Sequence, residues 1–576
     1  MNLKLFSPRE WQLALPLALF LHLFYVAPLV FLLASSFQPT PGASGISLAN
    51  YLRFFGDGVN LKVLGDTVFL GIQVTIACLI LGYPVAYVYA NAPAKWKSLL
   101  TFLILLPLLT SSVVRTFGWV VILGRQGLIN SFLQNLGLIA EPIRLLFTHQ
   151  GVAIAMTQIQ LPLMILPIVA SLAQVDPRLA AASASLGGGC LAHLLENHLP
   201  LNPPWRHLRV SAGVFPNRQF LCHPLHCRWR PGDVYANADL STGGGSAQWP
   251  VCCCCLCHPT RRCFNGGVWS QRLGSKKSCL YSLRSKLMST VSPTPLAKRS
   301  PRESTSATAT HIDRFSFIGL IGGISAFSLI LLTLPTLIVL LASLSSAQTL
   351  RFPPPGFSLQ WYLALFNYPE LWRATSTSLQ LAFWTTLLCI VLGIAASVAM
   401  SSSRARWVAA MDALVMSPLA LPGIAVGLGM LTFFSAIGWR LSLVTLVISH
   451  VVICIPYVVR TTLASLTQLG QSLREASTVL GASSTYTFFH VTLPLIKQGV
   501  ITGGFMAFLS SFDNITVSLF LSDARTEVLP IRMWSMIEND LDVRAAAISG
   551  LLIVSTALLM LVMERVSGLS KFLVKS

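Results

Sequence analysis

Apolar runs long enough to cross a bilayer dominate this chain, and they fall into two groups on either side of a polar middle. A spanning helix needs about 20 mostly apolar residues. Such runs lie near residues 11–37, 67–91, 99–123 and 151–173, and again near 315–346, 378–400, 407–437, 441–465, 499–520 and 545–566. Lipid offers the backbone no hydrogen-bond partner, so each run must be a helix or part of a closed barrel. Continuous runs of this length favour helices. The first run is too long for a signal-peptide core and has no clear small-residue cleavage site, so it is expected to be a retained span.

Charge sharpens this picture. The chain is 54% hydrophobic and 10% charged, where a soluble domain carries about 25% charged residues. Its net charge is +20, from 40 Lys+Arg against 20 Asp+Glu. Beside membrane-length runs, that excess reads as basic cytoplasmic loops, not as a nucleic-acid surface, and no nucleic-acid partner is expected. Lys95 and Lys97 follow the second run, Arg404 and Arg406 follow its counterpart in the second half, and Lys571 and Lys575 close the chain. Placing these inside puts the N-terminal ends of both halves inside as well.

One polar stretch carries candidate chemistry: Glu475-Ala476-Ser477, then Gly481, then Val491-Thr492-Leu493-Pro494. A weaker copy lies 294 residues earlier, as Ala181-Ala182-Ser183, Gly187 and Leu199-Pro200. Small residues let a helix approach a partner closely, and Gly permits a bend. Glu475 can make a charge-assisted bond to a basic group. The plain alternative is an amphipathic helix between two spans. The spacing resembles the EAA loop of ABC-importer permeases, which implies two short helices docking on a separate ATPase. In the first copy Ala181 stands at the Glu position, which weakens the implied contact there.

The resemblance extends further. Residues 111–119 (Ser-Ser-Val-Val-Arg-Thr-Phe-Gly-Trp), with Leu123-Gly124-Arg125 and Gly127-Leu128-Ile129-Asn130, resemble the first permease subunit of the polyamine (spermidine/putrescine) branch. Ser511-Phe512-Asp513-Asn514, Val517-Ser518, Leu529-Pro530 and Trp534-Ser535-Met536 resemble the second, with Asn514 where the family often has a second Asp. Iron, sulfate and phosphonate permeases share this core. The resemblance implies an all-α, polytopic fold of two tandem type I ABC-importer permease units in the inner membrane. It also implies cytoplasmic ATPase subunits and a periplasmic substrate-binding protein as partners, and no cofactor. The implied layout is a first unit at 1–187 with four spans, a segment at 188–314, and a second unit at 315–576 with six.

Other residues stand out on chemical grounds. Asp513, at an apolar boundary, is a candidate for attracting a cationic solute or a helix-end residue paired locally. Pro418, Pro422 and Gly423 are expected to break their helix near the pathway. Arg115 reads as an anchor snorkelling to an interface. His450 reads as a satisfied packing residue. No G-x-x-x-x-G-K-[ST] loop is present, so ATP hydrolysis is assigned to partner subunits and no enzyme activity is expected.

The middle segment breaks the pattern. Ten of thirteen Cys and six of eleven His lie between Cys190 and Cys279, and two expected spans are missing. Cys222-His223, His226-Cys227 and Cys252–Cys255 offer metal-ligand types, but in no zinc spacing. A shifted reading frame accounts for more. Dropping one base turns the TGG of Trp205 into a Gly codon. With permissible codons, residues 194–209 then read Phe-Trp-Arg-Ile-Thr-Phe-Pro-Leu-Thr-Leu-Pro-Gly-Val-Ile-Ser-Gly. That aligns without a gap on the second half from Val491, with the new Gly opposite Gly499. Residues 293–314 read as a flexible Ser/Thr/Pro linker. Two rival functions remain: a secondary transporter, which would not need the loop, and a membrane-anchored metal-binding regulator built on the Cys/His segment.

Overall fold

A computed structural model describes residues 10–38, 45–173, 304–348, 352–403, 405–469, 472–540 and 543–567. One compact unit comprises residues 1–202 and 313–576. The Cys/His/Arg-rich segment lies outside the described residues, as do Ala181, Ala182, Ser183 and Gly187.

The regular structure among the described residues is helical, apart from an isolated bridge between Ser345 and Phe357. Before the middle segment come α1 (Leu15–Ser36), α2 (Ala49–Gly56), α3 (Gly58–Asn91), α4 (Ala94–Leu109), α5 (Ser112–Leu123), α6 (Leu128–Asn135) and α7 (His149–Leu172). After it come α8 (Ser304–Ser343), α9 (Gln360–Phe366), α10 (Pro369–Ser402), α11 (Arg406–Ala420), α12 (Gly423–Ala436) and α13 (Leu443–Leu469). Then follow α14 (Ser472–Val479), α15 (Ser484–Phe512), α16 (Ser518–Leu521), α17 (Leu529–Asp540) and α18 (Val543–Ser567). Among the described residues, eight helices are long and apolar enough to cross a membrane, and ten spans result if each of two bent pairs counts as one.

The bent pairs expose an internal repeat. α4 and α5 meet at 95°, α11 and α12 at 102°. In each, two residues at the bend are extended: Thr110 and Ser111 with ψ of 146° and 137°, Leu421 and Pro422 with ψ of 147° and 128°. Pro107 and Pro418, four residues before Ser111 and Pro422, each remove a backbone donor from the last turn. α3 and α10 are both 34 residues long and start 311 residues apart, as do α5 and α12. α7 and α13 start 294 residues apart. The smaller offset reflects α6 and its following loop, which have no counterpart between α12 and α13.

Each half's first span packs on the other half. Leu17, Leu21 and Tyr25 of α1 join one core with Leu381, Met430, Phe434, Val451 and Ile455. Leu332 of α8 lies in a core with Cys78, Val85, Ile104, Leu161 and Ile165. Polar bonds repeat the exchange: Gln158 Nε2 donates to the Leu332 carbonyl (3.1 Å) and Ser328 Oγ to the Leu81 carbonyl (3.1 Å). Gly118 of α5 lies so close to α8 that a Cβ would stand 2.9 Å from the Pro335 carbonyl oxygen, while Gly429 of α12 faces Pro28 at ordinary contact distance (3.4 Å).

Three sequence expectations need correction. The run at 99–123 is two half-helices, because Pro107 weakens the turn before the break. The run at 499–520 begins earlier and ends at Phe512, where Asp513 and Asn514 stop the helix. Residues 304–314, expected within a flexible linker, form the first turns of α8.

Gly118→Val should lower the thermal midpoint of the nanodisc-embedded protein. The added atoms meet backbone that cannot rotate away, and overpacking of this kind costs about 1–3 kcal/mol. An unchanged midpoint would contradict the close approach of α5 and α8.

Candidate coupling loop and the contact between halves

The stretch from Ser472 to Pro494 is a helix, a turn and a second helix. α14 is eight residues long and ends in Gly481, whose φ of +85° is easily adopted only without a side chain. The Gly481 N–H donates to the Thr478 carbonyl (3.0 Å) and the Ala482 N–H to that of Ser477 (3.2 Å), which closes the last turn. Ser483 caps α15 by accepting from the Tyr486 N–H at 3.2 Å. Ser477 and Thr487 bond through their hydroxyls at 2.9 Å and tie the two helices together. A π-helical turn at Phe488–Thr492 leads into Leu493 and Pro494.

This loop keeps apolar groups in the open. Val479 and Leu480 are 83% and 87% exposed, and Leu473, Tyr486 and Phe489 are exposed beside them. Glu475 and Ala476 are exposed on the same short helix. Ser477 is turned inward toward Thr487, so its role within the loop is internal. An apolar cluster rimmed by a carboxylate on a polar connection suits a protein partner.

The second constellation forms where the halves meet. Ser111 is the residue preceding α5, yet its hydroxyl does not cap its own helix. It donates instead to Asp513 Oδ1, and the Ser112 backbone N–H donates to Asp513 Oδ2 at 2.8 Å. Asp513 thus caps a half-helix about 400 residues away in the chain. Asn514 Oδ1 accepts from the Val517 N–H at 2.9 Å and shapes the turn between α15 and α16. Pro422 is exposed at the other bend. Gly423 faces Thr516 so closely that a Cβ would stand 2.5 Å from its Oγ1. The structure therefore brings Asp513 to α5 and Gly423 to Thr516 of the α15–α16 turn, while Asn514 serves its own turn. The coupling-loop residues form a separate group.

The expectation for Arg115 fails, and that for His450 holds. Arg115 does not snorkel. It is 7% exposed, one turn into α5, within electrostatic reach of Asp513, and its Nε and Nη1 have no hydrogen-bond partner. The short half-helix draws its first turn into the protein, so the side chain never reaches an interface. His450 is fully buried and satisfied: Nδ1 bonds Ser511 Oγ at 2.9 Å and Nε2 bonds Ser518 Oγ at 3.0 Å. Sequence reasoning missed Ser111 and Ser112 as partners of Asp513. The only available signal was the 311-residue spacing of Pro107 and Pro418, which marks α5 as a half-helix with an open end.

Swapped first spans, paired broken helices and a helix–Gly–helix loop define a multi-pass helical membrane permease. Residues 389–569 match the family "Binding-protein-dependent transport system inner membrane component", and the chain belongs to it. It is a multi-pass protein of the inner membrane. It is similar to the spermidine/putrescine transport system permease protein PotB of Escherichia coli (strain K12), with 35% identity over 186 residues, 32% of this chain and 67% of that protein. It is also similar to the PotC permease proteins of Haemophilus influenzae (31% identity, 36% of this chain, 80% of that protein) and of E. coli (26% identity, 37% and 80%).

His450→Leu should lower the thermal midpoint, since Ser511 and Ser518 each lose a partner. Such bonds within membranes are worth about 0.6–2 kcal/mol apiece. A midpoint equal to wild type would mean that the hydroxyls find other partners.

Proposed function

We propose that this chain forms the translocation path of an importer for polyamines or a related small solute. Separate cytoplasmic ATPase subunits energise it, and a periplasmic binding protein supplies the solute. One observation carries this: the Ser472–Pro494 loop is a rigid helix–Gly–helix with exposed Glu475, Val479 and Leu480. Its motif spacing, and the PotB and PotC similarity, support the same assignment. A secondary transporter has no use for such a loop.

The two halves are two permease units in tandem. The repeated bend geometry, the shared helix lengths and the reciprocal exchange of first spans support this. In the first unit the loop falls at Ala181, Ala182, Ser183 and Gly187, outside the described residues. The shifted-frame account of the segment at 188–314 gains support from Gly499. A Cβ there would stand 2.6 Å from the Thr461 carbonyl oxygen and would collide with the Ser465 hydroxyl. The frame shift restores Gly opposite that position, where the chain as written has Trp205. As written, the segment holds nine Arg between Arg206 and Arg284, each costing roughly 2.5–3.5 kcal/mol at mid-bilayer.

In the frame-corrected chain, Glu475→Ala and Gly481→Asp should each abolish solute-dependent ATP hydrolysis and uptake in the complex with the partner ATPase, while membrane insertion stays normal. Both alter the exposed loop and neither touches the lipid-facing core. Normal uptake by either variant would reject the coupling role.

Resequencing across codons 185–300 should reveal one extra base near codon 194, and its removal should restore uptake. A confirmed frame, together with stoichiometric zinc binding that requires Cys222 and Cys227, would replace this account with an inserted metal-binding domain.

A further inference from the structure

The Asp513 cap is built more firmly than a chance contact. α5 begins in the middle of a membrane-length apolar stretch, with Ser111, Ser112 and Asp513 half-buried, so its first N–H groups need acceptors from the protein or the path it lines. The carboxylate from the other half is what serves them, through the Ser112 N–H and the Ser111 hydroxyl. A negative group there also complements the helix dipole. The turn that carries Asp513 is clamped from α13: His450 holds Ser511 on one side of Asp513 and Ser518 on the other, and Asn514 closes the turn within itself. At the matching half-helix α12 the N-cap position is Pro422, which offers neither a capping side chain nor an N–H.

The clamp sits at the far ends of two long helices whose near ends bracket the coupling loop. α13 runs from Leu443, through His450, to Leu469, two residues before α14. α15 runs from Ser484 to Phe512, the residue before Asp513. The two helices are packed along their length, with Gly499 and Gly503 of α15 against Thr461 and Val458 of α13. Displacement of the loop would reach both helices: α15 ends beside Asp513, and α13 grips the residues flanking it through His450. This is a contiguous physical link and not mere proximity.

We propose that Asp513 is a positioning residue: it fixes the first half's α5 to the α13–α15 pair and delivers movement of the coupling loop to the opposite half's broken helix. This rests on the ATPase-docking assignment above. It adds a route by which one loop acts on the other half's pathway wall.

Hydrogen–deuterium exchange of the full-length chain in nanodiscs tests it. Without nucleotide, Asp513→Ala should speed exchange of the amides at 112–115 at least tenfold, and Asp513→Glu should restore most of the protection. With the partner ATPase bound, a non-hydrolysable ATP analogue should change protection of the same amides in wild type but not in Asp513→Ala. A purely structural contact predicts no nucleotide response in either. Unchanged α5 protection in Asp513→Ala overturns the cap, and an equal nucleotide response in both proteins overturns the transmission. Failure of the ATPase to co-purify with wild type rejects the docking assignment and the transmission together, while the nucleotide-free arm still decides the cap.

Discussion

Lipid cannot hydrogen-bond a backbone, and this single constraint governs where the chain is allowed to stop being helical. Every interruption at membrane depth must be served from inside the protein. The described residues contain three: the bends at Thr110–Ser111 and Leu421–Pro422, and the turn after Phe512. Each is served differently. Pro422 brings no N–H that needs a partner. The turn after Phe512 is served by Asn514 and by the His450 clamp. The Ser111 bend is served by Asp513 from the opposite half. Irregular backbone is tolerated where it is buried against protein or lines a path, so these three sites together mark where a path can run.

The same constraint explains what was legible in the sequence. Spans are length-limited apolar runs, so all ten were visible, and lipid-facing helices need no specific partners to be recognised. The loop was visible because its chemistry is local: Glu475, Gly481 and Pro494 act through spacing along one stretch. The bend at Pro422 was visible because two prolines and a glycine stand together. The bend at Ser111 was not, since Thr110 and Ser111 are permissive residues and only Pro107 hints at a break. Contacts between residues 400 positions apart leave no local trace. Ser111 with Asp513, and Gly118 with Pro335, depend on the exchange of first spans, which no single run encodes.

Exchange of first spans also changes what the two halves are to one another. α1 fills a core made by α10, α12 and α13, and α8 fills one made by α3, α4 and α7. Neither half completes its core alone. Helix association in lipid rests on close packing and interhelical bonds rather than on a hydrophobic drive. Gly118 against Pro335, and Gln158 against the Leu332 carbonyl, supply both. Two such halves on one chain meet at a fixed ratio.

Arg115 shows why the inter-half cap is hard to replace. Its guanidinium is buried with two N–H-bearing nitrogens unpartnered, and the nearby anion is Asp513. Removing the anion near a buried cation leaves that cation without a counter-charge, which is costly. Asp513 therefore answers two needs of α5 at once: acceptors for its first turn and a counter-charge for its buried cation. Both needs arise in the first half, and both are met from the second. A carboxylate in that role cannot leave α5 without exposing Arg115 to an apolar setting. Any movement of the Phe512–Ser518 turn must then carry α5 with it, or be opposed by it.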